Sequence, residues 1–290
     1  MKKVKSVIVS ILISGLLMAC GGGSGGGVAP GVSINQNNVV EISSLALGFA
    51  LLGEGYSDDV ESLLSTDDHN CVDAGDVTIT GSISNPPAVG DTISVTFNNC
   101  QEFGEITDGS MSITITQVSP NFDGTPPYTL NVDVVINNLS TQDINLGLTA
   151  ITNGDMSIHL SETLAGDISV AILGNSLSLQ FDSDYMTLSN FMITSITNGL
   201  TGDYSFEVDG TIDSNLIGGS VSFDTTSLFA GNINVGAGDP TAGVLHVTTS
   251  IDNSQALLTA QPDGINIQIE IDADGDGAYE STVWTTWADL

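Results

Sequence analysis

From Asp76 to the end of the chain, apolar residues recur at every second position. DTISVTF (91–97), SMSITITQV (110–118), YTLNVDVVI (128–136) and INIQIEI (265–271) each alternate an aliphatic or aromatic residue with Ser, Thr, Asn, Gln or an acid. Side chains on a strand point to opposite faces in turn, so this pattern gives one buried and one wet face. Gly, Asn, Asp and Pro bound the runs, as they do in antiparallel sheets joined by short turns. Further runs are DVTIT, MSIHL, ISVAIL, SLSLQF, YSFEV and SVSFD, and the count of candidate strands comes to about 13 to 15 by this signature. A mainly β fold is predicted: a large antiparallel meander, closed or nearly closed into a barrel-like sheet so that its edges are protected. A β-sandwich is the alternative and a β-helix the third choice.

A short module recurs at Gly109, Gly154, Gly166, Gly202 and Gly219: Gly, then Asp or Ser, then an apolar residue, Ser and another apolar residue. Its spacing is irregular, whereas a solenoid needs a fixed period. It is read as repeated turn chemistry. Residues 39–65 have mixed spacing, closer to helical, with Val40, Leu45, Leu47, Phe49, Leu51 and Leu52 as apolar positions. One or two short helices are expected there, packed on the sheet.

The chain opens with Lys2, Lys3 and Lys5, followed by an apolar run from Val7 to Ala19. That run is shorter than the ~20 residues a bilayer span needs and reads as an export signal. It ends in Leu17-Met18-Ala19-Cys20, which resembles the lipobox of bacterial lipoproteins. The resemblance implies cleavage before Cys20, a lipid on its thiol, and a membrane anchor of two or more acyl chains, which holds stably where one does not. Gly21 stands where an inner-membrane retention signal often has Asp, so the outer membrane is expected, on its periplasmic face or at the cell surface. Residues 20–38 read as the lipidated Cys and a Gly-rich tether, spanning about 23 Å as a flexible coil. Residues 39–290 form the expected single β-rich domain, after a signal peptide over 1–19.

All three basic side chains lie in the first five residues, and the first of the 35 acidic ones is Glu41. Nucleic-acid binding needs Lys or Arg to displace counterions from phosphates, and attraction to anionic lipid heads needs the same charges. Both are excluded, as is chemistry built on an arginine clamp or a lysine Schiff base. A composition that is 41% hydrophobic still permits a packed core. The membrane partner is therefore reached through lipid alone, and an integral outer-membrane barrel is not expected with 6% aromatic residues.

In an oxidising envelope the two remaining cysteines, Cys71 and Cys100, are expected to pair rather than to share a metal. A bridge over that interval restricts the unfolded chain by roughly 3.5 kcal/mol in the entropic account.

The sharpest local signal is Asp272-Ala273-Asp274-Gly275-Asp276-Gly277-Ala278-Tyr279-Glu280. Acids at positions 1, 3 and 5 and Gly at 6 match the start of an EF-hand loop, with the Ala278 carbonyl at 7 and Glu280 at 9. Hard Ca²⁺ takes six to eight oxygens, and the Gly permits the turn that converges them. Position 12 is Val283, so the bidentate Glu is missing, and the flanks read as strands. The loop then sits at a hairpin tip, either as a calcium site or as a plain turn of good turn formers. The stretch from the Ile-rich strand through this loop to Trp284, Trp287 and Leu290 resembles the ends of uncharacterised proteobacterial envelope lipoproteins, which pair two cysteines early in the β region and carry no known activity. Both tryptophans are expected to close the core.

Catalytic sets are poor. His159 and His246 stand singly in strand-like runs and read as structural imidazoles, no G-x-S-x-G elbow occurs, and a Ser-Lys dyad has no Lys beyond the signal peptide. The expected function is a structural, adhesive or binding protein of the envelope, stabilised by calcium. The alternatives are a carrier of hydrophobic ligands and, further off, a hydrolase.

Overall fold

A computed structural model of the chain describes residues 31–48, 71–102, 104–119 and 125–290. The signal sequence, Cys20, the first part of the tether, His69 and the place of a second helix within 49–70 lie outside the described residues.

The alternating runs form strands. They are β1 (Ala74–Ser82), β2 (Thr92–Glu102), β3 (Glu105–Ser119), β4 (Tyr128–Asp143), β5 (Thr149–Glu162), β6 (Ile168–Phe181) and β7 (Asp184–Thr197). After them come β8 (Asp203–Ser214), β9 (Gly219–Asn232), β10 (Ala242–Thr248), β11 (Gln255–Ala260), β12 (Asn266–Asp272) and β13 (Ser281–Thr286). Each strand pairs antiparallel with its sequence neighbours in one 13-stranded sheet. The meander does not close: among the described residues β1 and β13 are its two edges. Closure would pair those edges; here the apolar face curls over a helix instead.

That helix, α1 (39–48), is begun by Asn35, whose side-chain oxygen accepts the Asn37 N–H at 2.9 Å. Val39, Ile42, Leu45 and Ala46 are buried in the same apolar cluster as residues of β2 to β12. A helix apolar on nearly all sides belongs inside a core. Residues 31–38 are also part of the domain, which shortens the tether expected to run to residue 38. Val32 and Ile34 are buried, the Ile34 N–H donates to Ser254 Oγ at 2.7 Å, and Ser33 Oγ donates to Asp252. The two apolar side chains leave water against the sheet, so the stretch cannot swing free.

The long strands stay one-sided because bulges reset their phase. In β4, Tyr128, Leu130, Val132, Val134 and Ile136 face the core, then Leu139 and Thr141 do. The switch from even to odd numbers falls at Asn137–Asn138, where Asn138 has φ +46° and the register with β5 shifts between Ile136 and Leu139. β6 switches likewise at Gly174–Asn175, from Val170 and Ile172 to Leu177 and Leu179. ISVAIL and SLSLQF are therefore one strand with a bulge, not two. Register shifts at Phe97/Cys100, Asp108/Ser110, Ser189/Met192 and Phe206/Gly210 continue the row across the sheet. Bulges bend and twist a strand, and a row of them supplies the curvature that lets one face wrap α1.

The recurring Gly module divides accordingly. Gly166 and Gly202 lie in turns, whereas Gly109 and Gly154 lie inside β3 and β5, so the reading as turn chemistry holds only in part. Gly109 has φ +110°, and a Cβ there would meet the Asn138 carbonyl oxygen at 2.2 Å.

Cys71 and Cys100 are bonded, with Cα atoms 5.3 Å apart, tying the approach to β1 onto β2.

Candidate metal centre

β12 carries Ile267, Ile269 and Ile271 into the core and ends at Asp272, which is also buried. The Asp/Gly run then makes the β12–β13 connection. Gly275 and Gly277 take φ +74° and +91°, which side-chain-bearing residues rarely adopt. Space enforces the choice at Gly275, where a Cβ would stand 2.2 Å from the Asp252 carbonyl oxygen. The loop therefore packs against the β10–β11 turn, the same turn that holds residues 33 and 34.

Asp272, Asp274, Asp276 and Glu280 each offer a carboxylate oxygen, and these four oxygens lie within 4.8 Å of one another. Asp272 is fully buried and the other three are exposed. The Asp272 oxygens accept the Gly275 N–H, the Gly277 N–H and the Gln255 amide, each at 2.8 Å. The Gln255 amide holds the Asp272 carboxyl below the usual carboxylate range; burial opposes this, and the Gly277 and Gly275 N–H groups assist it. Asp272 is thus kept ionised without any cationic side chain. Around it, Asp274 accepts the Asp276 N–H at 3.3 Å, Asp276 the Ala278 N–H at 2.8 Å, and Glu280 the Ala273 N–H at 3.3 Å. Like charges this close repel by about 1 kcal/mol per pair in water and about 4 at a surface-like dielectric. The cluster can hold a metal ion. Ala278 lies in the same loop, and Val283 at position 12 packs against the core, so the EF-hand pattern stops at Glu280.

A support chain behind the site escaped the sequence reading. Gln255 is the residue opposite Asp272 on β11, and its Oε1 meets His246 Nε2 at 2.9 Å. Asp272 accepts from the Gln255 NH₂, so that Oε1 is the acceptor and His246 Nε2 the donor. The other ring nitrogen lies 3.4 Å from Asp224. His246 was expected to be an isolated imidazole; cross-strand register, invisible along the sequence, brings it to Gln255. His159 faces outward, exposed on β5.

The tryptophans part company. Trp284 is 60% exposed on β13. Trp287 begins a short 3-10 helix (Trp287–Asp289) and meets Phe229 edge-on at 5.8 Å, so only Trp287 packs against the core. The phase of β13, set by Val283 facing inward, turns Trp284 out.

An open antiparallel meander wrapped on one helix, with an acidic cluster in a hairpin loop, is the class that fold and site define. Compared with known proteins, the chain matches no family model, no curated protein and no solved structure.

Proposed function

We propose that the chain is a lipid-anchored structural, adhesive or binding protein of the outer membrane, and that Ca²⁺ in the 272–280 loop stabilises its β domain. The observation that carries the calcium reading is the convergence of four carboxylates, among them a fully buried Asp272 whose carboxyl is held below the ordinary range. Oxygen donors of this kind suit a hard divalent ion. Other Asp residues at hairpin ends, such as Asp263 and Asp143, serve their turns singly, whereas four acids gather here. The anchor rests on Leu17-Met18-Ala19-Cys20.

Lacking a bidentate acid at position 12, the site is expected to bind in the ~10⁻⁴–10⁻³ M range of extracellular modules. A tenfold excess of Ca²⁺ then stabilises the folded state by about 1.4 kcal/mol. Thermal unfolding with Ca²⁺, with Mg²⁺ and with NaCl at matched ionic strength separates ligation from screening. The wild type should respond most to Ca²⁺, and Asp274→Ala or Asp276→Ala should remove most of that excess response. Equal responses of all three proteins to all three salts would reduce the loop to a turn. For the anchor, metabolic labelling with a palmitate analogue should mark the wild type, and Cys20→Ser should leave the membrane fraction; a mutant retained there refutes lipidation.

A further inference from the structure

Between α1, the middle of the sheet and the C-terminal turn lies a cavity of about 340 Å³. Its walls are Leu47 of α1, Val170 of β6, Ile193 of β7, Phe206 of β8, Pro240 and Trp287. We propose that this cavity is a binding site for an uncharged, largely apolar small molecule bearing an aromatic ring, an inference independent of the calcium reading.

Size comes first. Packed interiors hold few voids larger than a water molecule, whereas small-molecule sites run from about 300 to 1,000 Å³. This cavity falls in the second class. An apolar hollow of that volume is a poor place for water, which needs two to four polar partners.

The wall chemistry comes second. Tyr204 and Phe206 of the wall stack in a row with Phe229 behind them, ring centres 6.4 and 5.0 Å apart, and Trp287, also of the wall, meets Phe229 edge-on. Aromatic rings prefer such offset or edge partners, and the row offers one more ring a place to continue it. Three polar side chains of this wall are engaged with backbone carbonyls, while Ser195, Thr197 and Asp239 are the other polar side chains lining it. Tyr204 O–H donates to the Gly238 carbonyl at 2.5 Å, Trp287 Nε1–H donates to the Pro240 carbonyl at 3.2 Å, and Ser44 Oγ donates to the Leu290 carbonyl. Those bonds hold the wall in shape and turn these three groups away from a ligand, so that the lining is mostly apolar.

Charge decides the rest. The chain has no Lys or Arg beyond residue 5, no His lines the cavity among the described residues, and Asp239 does. A buried anion needs a cationic partner, which the described lining does not supply, and Asp239 would repel it. Fatty acids, phosphorylated lipids and sulfonated aromatics are therefore selected against.

The test uses two dyes with one ring skeleton: neutral N-phenyl-1-naphthylamine and its anionic relative 8-anilino-1-naphthalenesulfonate. Purified protein should bind the neutral dye saturably at one equivalent, and the sulfonate at least about tenfold more weakly. Ser195→Phe and Val170→Phe fill the cavity from two different strands. With an unchanged circular dichroism spectrum, either should weaken the neutral dye by at least about tenfold. No saturable binding of the neutral dye, equal affinity for the sulfonate, or wild-type affinity in both folded variants would each overturn the proposal. If neither variant folds, the comparison of the two dyes on the wild type decides it.

Discussion

Glu102 shows how single carboxylates are managed in a chain with no Lys or Arg beyond residue 5. It is buried where β2 meets β3, with its Oε1 accepting the Val72 N–H at 3.1 Å. Burial pushes its carboxyl above the ordinary range, the Val72 N–H opposes that, and the charge of Asp73 adds to it. A carboxyl raised in the folded state destabilises that state at neutral pH and ceases to do so as pH falls through the raised value. Glu102→Gln keeps the acceptor and removes the charge. It should raise the melting temperature at pH 7, and the advantage should vanish below the ordinary carboxyl range of about pH 4. Melts of the two proteins at pH 7 and pH 3.5 check this; an advantage that persists in acid would mean that charge is not the cause.

At the scale of the element, the bulge row governs. Gly109 on β3 and Asn138 on β4 face each other across the shift between Asp108 and Ser110. Gly109→Ala would place a methyl 2.2 Å from the Asn138 oxygen at φ +110°. A residue held in a sparsely populated conformation costs about 1–3 kcal/mol, and the backbone contact adds to it, so chemical denaturation should show a loss at the upper end of that range or beyond. Gly147→Ala is the comparison, because its φ is +69° and nothing stands within 4 Å. It should cost about 1 kcal/mol, the lower end of the same range. Equal losses would mean that the bulge has room to relax.

For the whole molecule, charge sets the pH response. Thirty-five acids in a chain without Lys or Arg beyond residue 5 repel more when the chain is compact than when it is unfolded. The folded state therefore takes up protons more readily, and stability should rise as pH falls from 7 toward about 5. A second set of groups reverses the trend. The Ala88 N–H at Asp91, the Thr201 hydroxyl at Asp203, the Ser33 hydroxyl at Asp252 and the Asn266 N–H at Asp263 hold those carboxyls below the ordinary range. Their contribution is complete above the unfolded value near 3.9 and is lost as pH falls through the lowered values. A melting profile with its maximum on the acid side of pH 7 and a fall below about pH 4 is expected. A monotonic rise down to pH 2 would show that the turn carboxylates contribute nothing.

The sequence by itself determined the strands, because their alternation is a local property: burying one face of INIQIEI requires a strand, whatever its neighbours. It also determined the acid loop, since Asp and Gly at fixed offsets dictate their own turn. Tertiary structure decided three things. It left the sheet open, because α1 fills the interior that closure would have had to fill with side chains. It joined ISVAIL to SLSLQF, because a phase break looks the same in sequence whether it makes a turn or a bulge, and only pairing across β5 and β7 tells them apart. It placed Gln255 and His246 behind Asp272, because contacts across strands depend on register, and register is settled by the whole apolar face seeking the core together.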